Sequence, residues 1–395
     1  MAYIDRIIVA VSFPKEKGMT LLTELKKRTK VRRLNLDINR RMIFISDIHG
    51  DLVTMKAGLE KFGFCDNDYL FIIGDIYEKG DKGTNLEIIR YVMELDRTHD
   101  NVFVMAGNCE ESLRFVLTPM PKRNFFYYVL KRGHSILNDM ADEMGIEINE
   151  NMDVPGFIEK VHTNYIDIYD YVDTLDDVII INDSIVLVHA GLDDINNIPE
   201  YSMSVLKYDN FDTLSKGVDK LTIVGHYPTR NYRHDISCAN PIFNMRKKII
   251  SIDGGNHIVK GGQINFLFLE SLRTMKFNWN YVDHYPKYVM KCDVNYDEPD
   301  DFINVTYGDN EIEIVDTDLD FNLVKHVNTG ITMWVHKSYV YEDNGKMYCY
   351  DASNQFLSVR KGDVISVIRK AMPYSIIKKN GYIGLIDTKY LEYDN

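Results

Sequence analysis

The sequence has no apolar run near the roughly 18 to 20 residues that a membrane-spanning helix requires, so a helical membrane protein is not expected. Cysteine is scarce. The five residues are scattered and odd in number, which argues against a disulfide framework and fits a reducing, cytoplasmic setting. The opening MAYIDRIIVAVSFPKEKG has an apolar stretch but no small-residue cleavage site, and charges flank it on both sides. It reads as a strand and not as a secretion signal. Positive charge is short as well: 46 Lys and Arg stand against 59 Asp and Glu, a net charge of −13. Most of such a surface repels a nucleic-acid backbone, so neither nucleic acid nor a membrane is an expected partner.

What remains is a chain of 395 residues, 45% apolar and 27% charged, long enough for more than one core. Residues 1–40 read as a strand and a basic helix (TLLTELKKRTKVRRL) forming an N-terminal extension. From residue 41 to about 288 the pattern is α/β: RMIFISDIHGD, NDYLFIIGDIYEKGD and NVFVMAGNCEE are strands running into polar loops, with LVTMKAGLEKFGF and TNLEIIRYVMELDR as amphipathic helices between them. Residues 112–175 read as a mainly helical insertion, after which strands resume in DVIIINDSIVLVHAGL, LTIVGHYP, KKIISIDGG and QINFLFLE. The last hundred residues carry a repeat, FINVTYGD at 302–309 and FLSVRKGD at 356–363, each leading into alternating apolar residues. The related endings HKSYVY and DTKYLEY close the two copies. This pattern predicts two small β-barrels, 289–345 and 346–395. The ending GYIGLIDTKYLE resembles the closing strands of SH3-like domains, and that resemblance implies a peptide partner for the barrels.

Each apolar run of the α/β part ends on Asp, His, Asn or Gly, at the strand ends where α/β proteins build their sites. Five segments stand in order: Asp47 and His49 in SDIHGD, Asp75 in GDIYEKG, Asn108 in GNCE, His189 in VHAGL and His226 in VGHYP. A single D-x-H is usually a turn, a single Gly-Asp usually a hairpin, and a single His after a strand usually a core residue. The ordered set is far harder to reach by accident. Carboxylates, imidazoles and one amide oxygen suit two divalent ions, manganese first, with iron, zinc or nickel as alternatives. Asp75 has two oxygens with which to bridge them.

DIHG, GDIYEKG, GNCE, VHAGL and VGHYP together resemble the calcineurin-like metallophosphoesterase superfamily. Within it they are most similar to the phosphoprotein phosphatases (GDxHG, GDxVDRG, GNHE, HxGL, GH) and to their bacterial branch, which includes dinucleoside-tetraphosphate hydrolases. Over about residues 41–270 the resemblance implies two facing mixed β-sheets flanked by helices, with a dinuclear centre in the loops. It implies that Asp47, His49 and His226 bind one ion, that Asn108 and His189 bind the other, and that Asp75 bridges. A hydroxide between the ions would attack phosphorus. The implied substrate is a phosphomonoester, phosphoserine or phosphothreonine in proteins first. A small nucleotide or dinucleoside polyphosphate is the alternative, and a weakly catalytic scaffold with peptide-binding barrels the rival from another class.

Three departures from the family pattern cluster. Cys109 stands where the family has the histidine that protonates the leaving group. Glu78 replaces the aspartate that orients this histidine. Lys79 replaces the arginine that grips phosphate, supplying charge without the planar fork. Cys109 is expected to be either a poor proton donor or a small spacer, Glu78 its partner, and Lys79 and Asn108 the phosphate contacts. Arg230, Arg233, His257 and Lys207 are further candidates for the pocket, each with a structural role or a solvated loop as the plainer reading. The basic segment 26–34 would be a solvated helix face, or would touch acidic partners.

Overall fold

The computed structural model describes residues 27–117, 125–131, 134–297, 299 and 301–391. The chain divides into two compact units. Unit 1 runs to Tyr227 and adds Ile242–Asp253 and Ile264–Val282; unit 2 comprises Pro228–Pro241, Gly254–Gln263 and everything from Asp283 onward.

Unit 1 holds two mixed sheets. One has β11 (Phe277–Val282), β10 (Ile264–Leu269), β2 (Met42–Ile45), β3 (Tyr69–Ile73) and β4 (Val102–Met105) in that order, with β2, β3 and β4 parallel. The other has β1 (Val31–Leu34), β5 (Val178–Ile181), β6 (Ile185–Val188), β7 (Leu221–Val224), β9 (Ile249–Ser251) and β8 (Ile242–Asn244), with β6, β7 and β9 parallel. The strands β2 to β6 are apolar without interruption and buried throughout, because both their faces are covered. Phe44, Phe71 and Phe103 meet Ile179, Leu187, Ile223 and Ile250 in one core between the sheets. Their strand neighbours Ile43, Leu70, Val104 and Ile180 point the other way, into a second core, as a period of two requires. That second core packs helices α1 (Leu52–Lys61), α2 (Thr84–Thr98), α4 (Ile136–Glu143), α5 (Val154–Asn164) and α6 (Ile166–Thr174) onto the sheets. Asp51 caps α1 by accepting the Thr54 N–H at 3.0 Å. The described part of the 112–175 insertion is helical, and includes a π-helical turn at Tyr127–Lys131.

The N-terminal segment differs from expectation. Residues 1–26 lie outside the described residues, and Val31–Leu34, expected in a basic helix, is the edge strand β1, parallel to β5. Pairing with an open sheet edge overrides the local helical preference. Two basic side chains serve this edge, Arg32 pairing with Asp176 at 3.7 Å and Arg33 with Asp183 at 3.5 Å, and the Lys30 main-chain N–H donates to Asp177 at 2.7 Å.

Unit 2 contains the repeat. In each copy a Gly-Asp turn, with φ of 93° at Gly308 and 90° at Gly362, leads into a long strand that carries a bulge. These strands are β14 (Glu311–Asp318) and β20 (Val364–Arg369). A 3₁₀ turn ends each copy, at Lys337–Tyr339 and Thr388–Leu391. The sheets, however, cross the expected boundaries. β17 (Val340–Asp343) pairs with β18 (Lys346–Cys349), which keeps 346–349 in the first sheet with β14, β15 (Phe321–His326) and β16 (Thr332–His336), while β13 (Asn304–Val305) and β19 (Ala352–Ser353) form a separate pair. β12 (Lys287–Val289) pairs with β20 and so belongs to the second. The second sheet is completed by β21 (Tyr374–Lys379) and β22 (Tyr382–Asp387). Ile376, Ile383 and Leu385 pack with Phe321, Val324 and Val335 of the first sheet, while Ile377 and Ile386 face Met290, Val294 and Ile365. The two copies therefore share a core. Alternation along β21 and β22 gives the second sheet two buried faces, and the first copy fills one of them.

Candidate metal centre

Asp47 and His49 follow β2, Asp75 follows β3, and Asn108 follows β4 and opens α3 (Asn108–Leu117). His189 follows β6 and His226 follows β7. Both sheets of unit 1 thus deliver their parallel-strand ends to one place. The loops turn sharply there. Asp47 (φ 53°), His49 (51°), Asp75 (51°), Glu78 (71°), Lys79 (68°) and His226 (66°) all adopt left-handed backbone, an unfavourable conformation for non-glycine residues that concentrates at functional sites. Two glycines let the loops close up. A Cβ at Gly107 would lie 2.3 Å from Asp75 Oδ1, and one at Gly225 would lie 2.3 Å from Asp47 Oδ2.

Asp75 is the centre of the arrangement and is 4% exposed. Its Oδ2 stands 3.9 Å from His49 Nε2, and its Oδ1 stands 3.4 Å from His189 Nε2. One carboxylate thus faces two histidines with different oxygens. His49 Nε2 is also 3.9 Å from Asp47 Oδ1. These separations exceed a hydrogen bond and leave room for an ion between the donors. On the other side, Asn108 Oδ1 lies 3.3 Å from His189 Nε2, while His189 Nδ1 lies 2.8 Å from the Ile73 carbonyl, which fixes the ring. The His226 ring sits 5.2 Å from that of His189, and ligand atoms of Asp75, His189 and His226 come within 4.8 Å of one another. The ring of His226 therefore groups with His189, whereas the family resemblance implied a grouping with Asp47 and His49. Only the His226 main chain turns to Asp47, its N–H donating at 3.0–3.1 Å to both carboxylate oxygens.

Burial and these neighbours set the electrostatics of the cluster. Burial raises the Asp47 carboxyl well above its ordinary value, reinforced by repulsion from Asp253 and Asp75. Burial also works against an ionised Asp75, but the imidazoles of His189, His49 and His226 outweigh it and hold its pKa below the ordinary value. Burial pushes His189 down to about 4 against the pull of Asp75, so this ring is neutral at pH 7, the form that ligates metal. A buried cluster of carboxylates, imidazoles and an amide oxygen has the donor chemistry for divalent ions.

Three contributors were not singled out from the sequence. Glu110 clamps two loops, accepting from the N–H groups of Asp75 (2.9 Å), Ile76 (2.9 Å) and Gly107 (2.7 Å). Burial and the nearby Asp75 push it up to about 8. Asp253 follows β9 and bears on Asp47 through charge; an apolar run ending in Asp, IISID, repeats the signal seen at Asp47. Asp209 Oδ1 lies 2.8 Å from His226 Nε2, in an exposed loop that no pattern marks.

The altered trio behaves differently from the ligand candidates. Glu78 Oε1 accepts from the Tyr128 hydroxyl at 2.6 Å and the Ile136 N–H at 3.1 Å, both in the insertion. The Lys79 N–H donates to the His134 carbonyl at 3.2 Å, and its side chain is half-buried. Cys109 is 1% exposed, and its N–H donates to Asp75 Oδ1 at 2.8 Å. Arg230 and Arg233 belong to unit 2 and are structural there. Arg230 is 1% exposed and donates to Asn304 Oδ1 (3.0 Å) and the Lys260 carbonyl (3.2 Å). Arg233 donates to the Asn240 carbonyl at 2.9 Å. His257 stacks on His284, also in unit 2. Lys207 follows the short helix Met203–Leu206, two residues before the Asp209 that does reach the centre.

The calcineurin-like phosphoesterase pattern matches residues 40–249, more than half of the chain. The chain belongs to that family. Solved structures with partial similarity include a putative diadenosine tetraphosphatase (15% identity, 65% of this chain and 99% of that one, TM-score 0.42). Two others are a serine/threonine phosphatase from Saccharomyces cerevisiae with similarity to human PP5 (11%, 74% and 94%, 0.40) and a metallophosphoesterase from Sphaerobacter thermophilus (16%, 62% and 88%, 0.35). These scores are too low to carry a substrate across. No curated protein matches the chain. Among the described residues, no helix of this phosphoesterase is long and apolar enough to cross a membrane.

Proposed function

We propose that unit 1 is a dinuclear metal-dependent phosphoesterase that hydrolyses phosphomonoesters, with phosphoserine and phosphothreonine in proteins as the first substrate class. The observation that carries this is Asp75, whose two oxygens face His49 and His189 separately. Asp47 and His49 would hold one ion with Asp75, and Asn108, His189 and His226 the other. Two such ions, when bound, supply Lewis acidity and a water acidic enough to attack phosphorus near neutral pH. Asp209 orients His226, the Ile73 carbonyl orients His189, and Glu110 fixes the loops that carry Asp75 and Asn108. Lys79 would add positive charge toward the phosphoryl group.

A second reading, hydrolysis of nucleotides or dinucleoside polyphosphates, is favoured by Cys109, the thiol that stands where the family has an imidazole. A thiol is a weaker proton donor than an imidazolium, and that weakness matters least where the leaving group is itself a good one. The test is turnover with added manganese, and with chelator, of a phosphoserine peptide, diadenosine tetraphosphate, p-nitrophenyl phosphate and bis-p-nitrophenyl phosphate. Turnover of the peptide and the aryl monoester supports the first reading, and turnover of the tetraphosphate or the diester supports the second. No metal-dependent turnover of any of the four would refute both.

A further inference from the structure

Cys109 has no ligand role in the proposed centre, yet it is buried within it. Ligand atoms of His49, Asp75 and Cys109 lie within 4.8 Å of one another. In a tetrahedral site with bonds of about 2.0–2.3 Å, neighbouring donors stand roughly 3.3–3.8 Å apart. A contraction of about 1 Å, of the kind an ion imposes on flexible side chains, would bring all three into one coordination sphere. The backbone already holds the sulfur's residue in place: the Cys109 N–H is bound to Asp75 Oδ1 at 2.8 Å, and Asn108 Nδ2 approaches Sγ at 3.7 Å. A hydrogen-bonded spacer would require none of this proximity to His49.

We infer that Cys109 Sγ is a ligand of the ion held by Asp47, His49 and Asp75, and that it turns this site from manganese toward softer ions such as zinc, cobalt or iron. Binding would release the thiol proton to solvent and form a metal–thiolate bond. Thiolate prefers borderline and soft cations, whereas an all-oxygen and imidazole set discriminates less against manganese. The inference rests on the dinuclear reading of unit 1 and names a donor that reading does not contain.

Cobalt(II) is the probe, added to the full-length metal-free protein, with bound cobalt counted separately. Wild type should show a near-ultraviolet thiolate-to-cobalt band, absent in Cys109→Ser and Cys109→Ala and kept in Cys65→Ser, the exposed control. Proton release on binding should be smaller in Cys109→Ser. The preference for zinc over manganese should fall in that variant by at least the ~10–100-fold that loss of an outer-shell partner costs. Circular dichroism shows whether the variants fold, and the wild-type spectrum needs no variant. Cobalt bound without the band, or a band that survives in Cys109→Ser, overturns the inference and leaves the metal centre standing. A wild type that binds no cobalt overturns both.

Discussion

Lys378 and Arg230 in unit 2 are as deeply buried as His189 and Asp75 in unit 1, at 0%, 1%, 0% and 4% exposure. Their surroundings are opposite. Lys378 donates to the Gly261 and Gly262 carbonyls at 3.0 Å and pairs with Asp283 at 2.8 Å. Burial pushes it down to about 8, with Asp283 opposing. Arg230 is likewise met by acceptors. In unit 1 the buried groups are carboxylates and imidazoles with gaps between them, on left-handed backbone. A buried charge enclosed by its partners is a structural element. Buried carboxylates and imidazoles converging on a gap are a set of donors suited to a cation.

The largest test of this contrast is Asp75→Asn. Turnover should fall roughly 10³-fold or more, about 4 kcal/mol of barrier, while the metal-free fold keeps its melting temperature, since the amide oxygen can still accept the Cys109 N–H. Near wild-type turnover would rule out the bridging role. Lys378→Ala should do the reverse. It strands Asp283 in the interior and should destabilise unit 2 by about 3–5 kcal/mol, toward the lower end because Lys287 still pairs with Asp283. Lys378→Met with Asp283→Leu should recover most of that loss in denaturant titrations. A double variant no more stable than the single would mean that the pair does more than neutralise itself.

Divalent ions sharpen the comparison. At a free concentration 100 times the dissociation constant, zinc or manganese should stabilise unit 1 by about 2.7 kcal/mol. Hydrogen-exchange protection should rise in the loops after β2, β3, β6 and β7, with no change in unit 2. Equal protection of both units would contradict the assignment. The smallest effect expected is that of Tyr128→Phe. Removing the hydroxyl that serves Glu78 should cost about 1–3 kcal/mol of stability and leave the turnover of aryl phosphates nearly unchanged. A large loss of aryl turnover would place Glu78 in the chemistry after all.

The ends of the parallel strands were the most legible part of the molecule, because an apolar run stopping at Asp, His or Asn is both a structural and a chemical signal. Asp253 obeys that same rule and was readable by it. Asp209 was not, since an exposed loop aspartate resembles any other until the fold brings it to His226. The ring partner of His226 also escaped, because spacing along the chain does not say which way an imidazole turns. Val31–Leu34 looked helical because its charges suit a solvated helix, and only the open edge of β5 makes it a strand. Arg230 and Arg233 sit close to His226 in sequence but fall in the other unit, a division no local pattern announces. The repeat was visible as two copies, but its strand exchange was not, since F-x-x-V-x-x-G-D does not say which sheet β12 will join.

That exchange bears on the order in which the chain can fold as it is made. β12 leaves the ribosome about 75 residues ahead of its partner β20. The segments 228–241 and 254–263 wait longer still, since the Ala239 N–H is bound by the Gly381 carbonyl and Cys238 bridges to Tyr382. Unit 2 therefore cannot close until almost the last strand has emerged, while the strands of unit 1 are complete by Val282. Truncation near residue 288 would strand 228–241 and 254–263 without their sheet. The shortest soluble fragment is then expected to be nearly the whole chain, and a chaperone would meet the nascent protein with its catalytic sheets formed and these two loops unsatisfied.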